Sequence, residues 1–149
     1  MAQTKVHIRQ LTIADYDSLI DLWQRAGLHS LRPHGRDSRD AVEQQLASGI
    51  QTILGTELDG CLIGVVVTTH DSRKGWINRL AIAPEHRKQG HGTELINAAE
   101  TRLREQGTTV IATLVESDND PSYELFKKTG YIEFDAGIHY MTKRDSDAA

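Results

Sequence analysis

The chain has 149 residues, 38% hydrophobic and 26% charged, with a formal net charge of −4. That composition fits one globular domain rather than a disordered chain, and the acidic balance argues against a general nucleic-acid binder, which needs basic excess to neutralise phosphates. A lone cysteine, Cys61, cannot make an internal disulfide or a cysteine-rich zinc site.

Along the chain, Val6, Ile8 and Gln10 alternate with His7 and Arg9, which predicts a first strand. Thr12 and Asp15 have the spacing of a capping box, and Tyr16, Leu19, Ile20 and Trp23 then recur as one face of a helix that Gly27 stops. Residues 28–36, with Pro33 and Gly35, read as a loop. A second helix follows from Asp37 or Ser38 to about residue 48, before Gly49. Strands are expected at 51–58 and 61–70, joined by the hairpin pair Asp59-Gly60. After a turn at 71–75, a third run at 76–82 ends before Pro84.

Gly92 leads into a helix with Leu95, Ile96, Ala99 and Leu103 on one face, stopped by Gly107. Residues 109–116 are a β-rich run, and 121–128 a short helix with Gly130 just past its end. Two short final strands, 131–134 and 138–142, complete a domain over 1–143, followed by a polar tail at 144–149. Tight turns make the middle strands antiparallel, and the strand–helix–strand unit around Leu95 a parallel crossover. The expected class is a mixed α/β fold. No run approaches the ~18 apolar residues of a membrane span, and the first ten residues lack a signal peptide's apolar core. A cytoplasmic location without a membrane partner is expected.

The chemistry concentrates in residues 80–93, where a strand runs through a proline and a basic turn into an amphipathic helix. The first N–H groups of a helix have no internal partner and favour an anion. Gly90 and Gly92 let backbone approach a phosphate closely. Arg87, Lys88 and His91 place cations where they oppose the helix dipole, at roughly 0.3–1 kcal/mol each when exposed. A bound diphosphate reverses that sign; a solvated basic turn is the alternative. The dinucleotide fingerprint fails because Leu95 stands at its third glycine, and no Gly-Lys-Ser/Thr follows for a P-loop.

Arg87-x-x-Gly90-x-Gly92 after Leu80-Ala81-Ile82-Ala83-Pro84 resembles the acetyl-CoA signature of the GNAT N-acetyltransferase superfamily. The block from Asn119 through Tyr123, Phe126 and Lys128 to Gly130-Tyr131 is similar to the family's later motif, and the element order agrees along the chain. The resemblance implies a GNAT-type acyl-CoA N-acyltransferase fold: a mostly antiparallel twisted sheet of about six or seven strands flanked by about four helices. It implies acetyl-CoA as acetyl donor and an amine-bearing acceptor attacked directly in a ternary complex. Backbone of Leu80, Ala81 and Ile82 would bind the pantetheine arm like an added strand. Arg87, Lys88, Gln89, Gly90, His91, Gly92 and Thr93 would form the diphosphate site. Asn119 would contact pantetheine, Phe126 would pack on the cofactor arm or the core, and Lys128 would reach the adenosine phosphates or stand solvated. Dimers are common among such proteins, so a homodimer is among the expected partners.

Acetyl transfer needs a proton taken from the amine, a stabilised oxyanion and a protonated or tolerable thiolate leaving group. Many relatives supply the acid from a late-helix tyrosine, and here that position is Phe126. Tyr123, one turn earlier, is the substitute acid, with packing or surface exposure as its alternative. Glu116 is the carboxylate candidate for the base, against a solvated loop charge; Asn78 and His70 are candidates to order water. His29, Arg32, His34, Arg36 and Arg39 make the 28–39 region basic, which points to an acceptor carrying a carboxylate or phosphate, or to a solvated loop. His29 and His34 lack ligand spacing, and no metal site is expected. A non-catalytic acyl-CoA-binding sensor is the competing function.

Overall fold

The computed structural model describes residues 5–134 and 137–149. Strand β1 (Val6–Gln10) leads through the Thr12 cap into α1 (Tyr16–Arg25). The capping box forms in full, and Arg9 reaches from β1 to fork onto Asp15 at 2.7 and 2.9 Å. Ser38 caps α2 (Arg39–Ala47) by accepting the Ala41 N–H at 3.2 Å. Strands β2 (Gln51–Leu58) and β3 (Cys61–His70) turn through Asp59 and Gly60, both left-handed at φ 50 and 83, as a tight hairpin of this kind requires. Strand β4 (Gly75–Ile82), α3 (His91–Glu105), β5 (Ile111–Thr113) and α4 (Asp120–Lys128) follow.

The sheet order is β1-β2-β3-β4-β5. The first three pairings are antiparallel and β4–β5 is parallel. Because β2 and β3 are apolar on both sides, each face of the sheet carries a core. One gathers Leu19, Leu22 and Trp23 of α1 against Ile53, Ile63, Val65 and Val67. The other gathers Leu95, Ile96, Ala99 and Leu103 of α3 with Phe126 of α4 against Leu54, Val66 and Ile77. The period of the α3 apolar residues thus becomes a stripe with no exposed surface.

Among the described residues the sheet has five strands rather than the about six or seven expected. Residues 131–134 and 137–142 carry no strand, while Asp135 and Ala136 lie outside the described residues. The cause is local anchoring. The Tyr131 N–H bonds back to the Phe126 carbonyl at 3.0 Å and its hydroxyl to Glu100 of α3 at 2.7 Å, so the chain leaves α4 along α3. Ile132, Phe134, Ile138 and Tyr140 then stand exposed, so neither segment buries a face that would fix a strand register. Of the β-rich run 109–116, only Ile111–Thr113 pairs. Among the described residues no helix is long and apolar enough to cross a membrane.

Candidate active site

The site grows from one irregularity in β4. Val65 pairs with Ala81 and Val67 with Asn78, so Arg79 and Leu80 together oppose the single residue Val66. Arg79 takes φ 50, sparsely populated for a non-glycine residue. This is a β-bulge, which turns strand backbone out of its ladder. On the other side, pairing with β5 ends at Ile77↔Thr113, although β4 continues to Ile82. Thr113 closes that ladder by donating its hydroxyl to the Ile77 carbonyl at 2.9 Å. Beyond it, the outer edge of β4 faces an open splay, and such an edge can accept an extended ligand as a further strand.

At the end of that edge the chain passes through a short 3-10 turn, Pro84–His86, into the glycine turn. Lys88 is left-handed at φ 61, and Gly90, the residue before α3, at φ 89 and ψ −1. Alternating handedness of this kind turns successive N–H groups to one side and makes an anion-binding concavity. Among the described residues no side chain caps α3, whereas Ser38 caps α2 and Asn119 caps α4. The N–H donors at the start of this 15-residue helix are therefore left to a ligand or water.

Gly90 and Gly92 do different work. A Cβ on Gly90 would meet nothing within 4 Å, so its need is conformational. A Cβ on Gly92 would lie 2.7 Å from Leu125 Cδ2. Gly92 lets α4 approach the start of α3, and this contact joins the two sequence motifs. Arg87 does not extend into the turn's open side: its Nε donates to the Ile82 carbonyl at 3.2 Å and Nη2 to the Ala26 carbonyl at 3.3 Å, bracing the turn between β4 and the end of α1. The His91 ring stands edge-on to His86, centroids 6.4 Å apart. Lys88 and Gln89 are exposed and Thr93 half-buried in the first turn of α3.

The second motif is distributed as follows. Asn119 accepts the Ser122 N–H at 3.3 Å as the α4 cap, which leaves its amide N–H₂ unengaged among the described residues. Phe126 is buried, edge-on to Tyr131 with ring centroids 5.0 Å apart. Lys128 is exposed at the end of α4. Tyr123 donates its hydroxyl to Glu133 at 2.6 Å, and that hydrogen bond, with the carboxylate's charge, raises the phenol's pKa. Glu116 lies beyond the end of β5, exposed in the loop. Asn78 reaches Thr69 weakly at 3.5 Å, and His70 Nδ1 accepts the Ser72 N–H in the β3–β4 turn.

The basic loop is less available than its composition implies. Arg32 donates to the His29 and Leu31 carbonyls, Arg36 to the Ser30 carbonyl, and Arg39 covers the Tyr16 ring. Beside α2 an open cleft of about 370 Å³ is lined by Gln44, Gln45, Gln51 and Thr69. Sequence reasoning missed Arg79 and Asp37, which meet across the α1-side face. The available signal was an arginine inside an apolar strand, between Ile77 and Leu80. Among the described residues no cluster of His, Cys, Asp or Glu could hold a metal ion.

A bulged, splayed α/β sheet with an uncapped helix at the mouth of the splay is suited to an extended ligand that ends in an anion. The chain belongs to the GNAT acetyltransferase family, whose profile matches residues 16–131. It is 29% identical over 130 residues to an acetyltransferase of Pectobacterium atrosepticum, covering 87% of this chain and 90% of that one. Among solved structures, the PaiA N-acetyltransferase of Thermoplasma acidophilum in complex with coenzyme A matches with a TM-score of 0.77 and 21% identity, covering 89% and 93% of the two chains. The acetyltransferase AAC(6')-Iy in complex with the bisubstrate analogue CoA-S-monomethyl-acetylneamine matches with a TM-score of 0.78 and 18% identity, covering 94% and 99%.

Proposed function

We propose that this protein transfers the acetyl group of acetyl-CoA to a primary amine by direct attack in a ternary complex. The observation that carries the proposal is the continuity of the open β4 edge with the uncapped start of α3. Together they offer strand-like hydrogen bonding to a pantetheine arm and backbone N–H groups to a diphosphate. The coenzyme A complex of the PaiA relative and the bisubstrate complex of AAC(6')-Iy support the same donor and an amine acceptor.

In this reading the backbone of Lys88, Gln89, Gly90, His91, Gly92 and Thr93 binds the diphosphate while Arg87 holds the turn in place. Leu80, Ala81 and Ile82 pair with pantetheine, and Asn119 offers its free N–H₂ from the facing loop. Acetyl-CoA supplies the activated acetyl thioester. A β4 backbone N–H at the bulge stabilises the oxyanion that forms when the amine attacks. Buried in the core, Phe126 has no proton to give. Tyr123 keeps its proton through neutral pH and delivers it to sulfur only by leaving Glu133. A thiol pKa near ~8.5 also lets the thiolate leave to water. Glu116, exposed beside the splay, receives the amine proton directly or through water.

The apolar Phe126 favours one second reading, an acyl-CoA-binding module without turnover. Calorimetric titration of acetyl-CoA, with ATP and NAD as controls, tests the cofactor site: selective micromolar binding is expected, and equal binding of ATP refutes it. Thiol release across an amine panel then separates enzyme from binding module.

A further inference from the structure

Arg79 sits on the bulge where β4 opens, yet acetyl transfer as described above makes no use of its side chain. The guanidinium forks onto one carboxylate, Nη1 to Asp37 Oδ1 at 2.6 Å and Nη2 to Oδ2 at 3.1 Å. Nη2 also donates to the Ser30 carbonyl at 3.3 Å, and the group stacks 5.0 Å from the centre of the Trp23 ring. The Asp37 side chain is 5% exposed. It takes the Arg32 N–H at 2.7 Å, its main-chain carbonyl takes the Tyr16 hydroxyl at 2.6 Å, and the next residue, Ser38, caps α2. One ion pair therefore pins the loop between α1 and α2 to the bulge.

A buried pair of this kind is a poor device for stability alone, since apolar side chains of similar volume commonly do as well. What it does supply is direction. A left-handed arginine persists only where its surroundings over-determine it, and here four contacts to Asp37, Ser30 and Trp23 do so. Bidentate geometry fixes orientation as well as position. Arg79 lies about 10 Å along the strand from Ile82, at ~3.3 Å per residue, and so well away from the diphosphate turn.

We propose that the Arg79–Asp37 pair is a positioning element: it holds the β4 bulge in the shape that receives the thioester end of acetyl-CoA and fastens the α1–α2 loop to it. This rests on the cofactor reading above. Arg79 touches no reacting atom; it acts through the backbone that it carries.

Coenzyme A and acetyl-CoA differ only at the thioester, so their affinities separate this role from general stability. Both are titrated calorimetrically into the wild type, Arg79→Lys, Arg79→Met, Asp37→Asn and the doubly neutral Arg79→Met/Asp37→Asn, with melting curves to confirm folding. The double variant leaves no unpaired buried charge and keeps the test open if a single variant unfolds. Coenzyme A affinity is expected to stay within about twofold throughout. Acetyl-CoA is expected to weaken by roughly three- to tenfold in Arg79→Met and the double variant, the share of one lost hydrogen bond, with Arg79→Lys intermediate. Wild type binding both ligands while the variants lose both alike, or lose neither, overturns the positioning role and leaves the cofactor site standing. Wild type binding neither ligand overturns the cofactor reading and this proposal with it.

Discussion

Replacing Gly90 with alanine tests the diphosphate turn more sharply than a charged substitution. Gly90 sits at φ 89, where a Cβ costs about 1–2 kcal/mol. Stiffening the unfolded chain returns about 0.4–1 kcal/mol. Because the new methyl would meet nothing within 4 Å, no steric cost is added, and the net destabilisation is about 0.5–1 kcal/mol. Binding should suffer far more. Relaxing the left-handed residue rotates the N–H groups that precede α3, and each charge-assisted bond lost to a phosphate is worth about 1.5–3 kcal/mol, or roughly 10- to 100-fold in Kd. Gly92→Ala is the matched control: its methyl pushes on the movable Leu125 Cδ2 at 2.7 Å, at a cost of about 1 kcal/mol in packing. Urea unfolding measures the first quantity and coenzyme A calorimetry the second. A Gly90→Ala protein that loses the expected stability yet binds coenzyme A within twofold of wild type would refute the assignment of phosphates to this turn.

Tyr123→Phe and Glu116→Gln should each lower kcat for acetyl transfer by roughly 100-fold with KM little changed, measured by thiol release; unchanged turnover removes that residue as acid or base. Asp15 has its pKa lowered, first by the Arg9 hydrogen bond and further by the Thr12 N–H, so its contribution is present above its unfolded pKa and fades as pH falls through the folded value. Urea unfolding of Asp15→Asn should therefore show lower stability at neutral pH and a shallower loss below about pH 4 than wild type. Tyr131 is shifted the other way, raised by burial and then by its bond to Glu100, so its contribution holds below its unfolded pKa and is lost as pH climbs. Above about pH 10 wild type should lose stability more steeply than Tyr131→Phe; equal alkaline limbs would refute the Tyr131–Glu100 assignment.

The elements that could be read from the sequence are those whose signals are local. Thr12 with Asp15, the Asp59-Gly60 hairpin and the Leu95–Leu103 stripe need only neighbouring residues to declare themselves. The glycine turn was legible for the same reason, since a basic Gly-x-Gly before an apolar helix carries its own chemistry. The bulge was not, because no sequence rule says which β4 residue will oppose Val66 alone. The Arg79–Asp37 pair joins residues distant in the chain, each unremarkable in its own segment. Residues 131–134 and 138–142 misled in the opposite sense: they fit the remainder of the chain as strands, but a strand register needs a buried face, and Ile132, Phe134, Ile138 and Tyr140 stay exposed while Tyr131 is committed to Phe126 and Glu100.

The attachment of α4 gives the molecule a place to report occupancy. Among the described residues Phe126 is the one fully buried residue of that helix, with the Leu125 contact over Gly92 and the Tyr131–Glu100 bond just beyond it. A helix held by so little detaches at a lower free energy than the sheet beneath it. Its amides should exchange with solvent by local opening while those of β2 and β3 wait for global unfolding. A ligand seated between the α3 turn and Asn119 would bridge the two and slow α4 exchange selectively. The helix would thus act as a built-in occupancy gauge, readable without an identified acceptor.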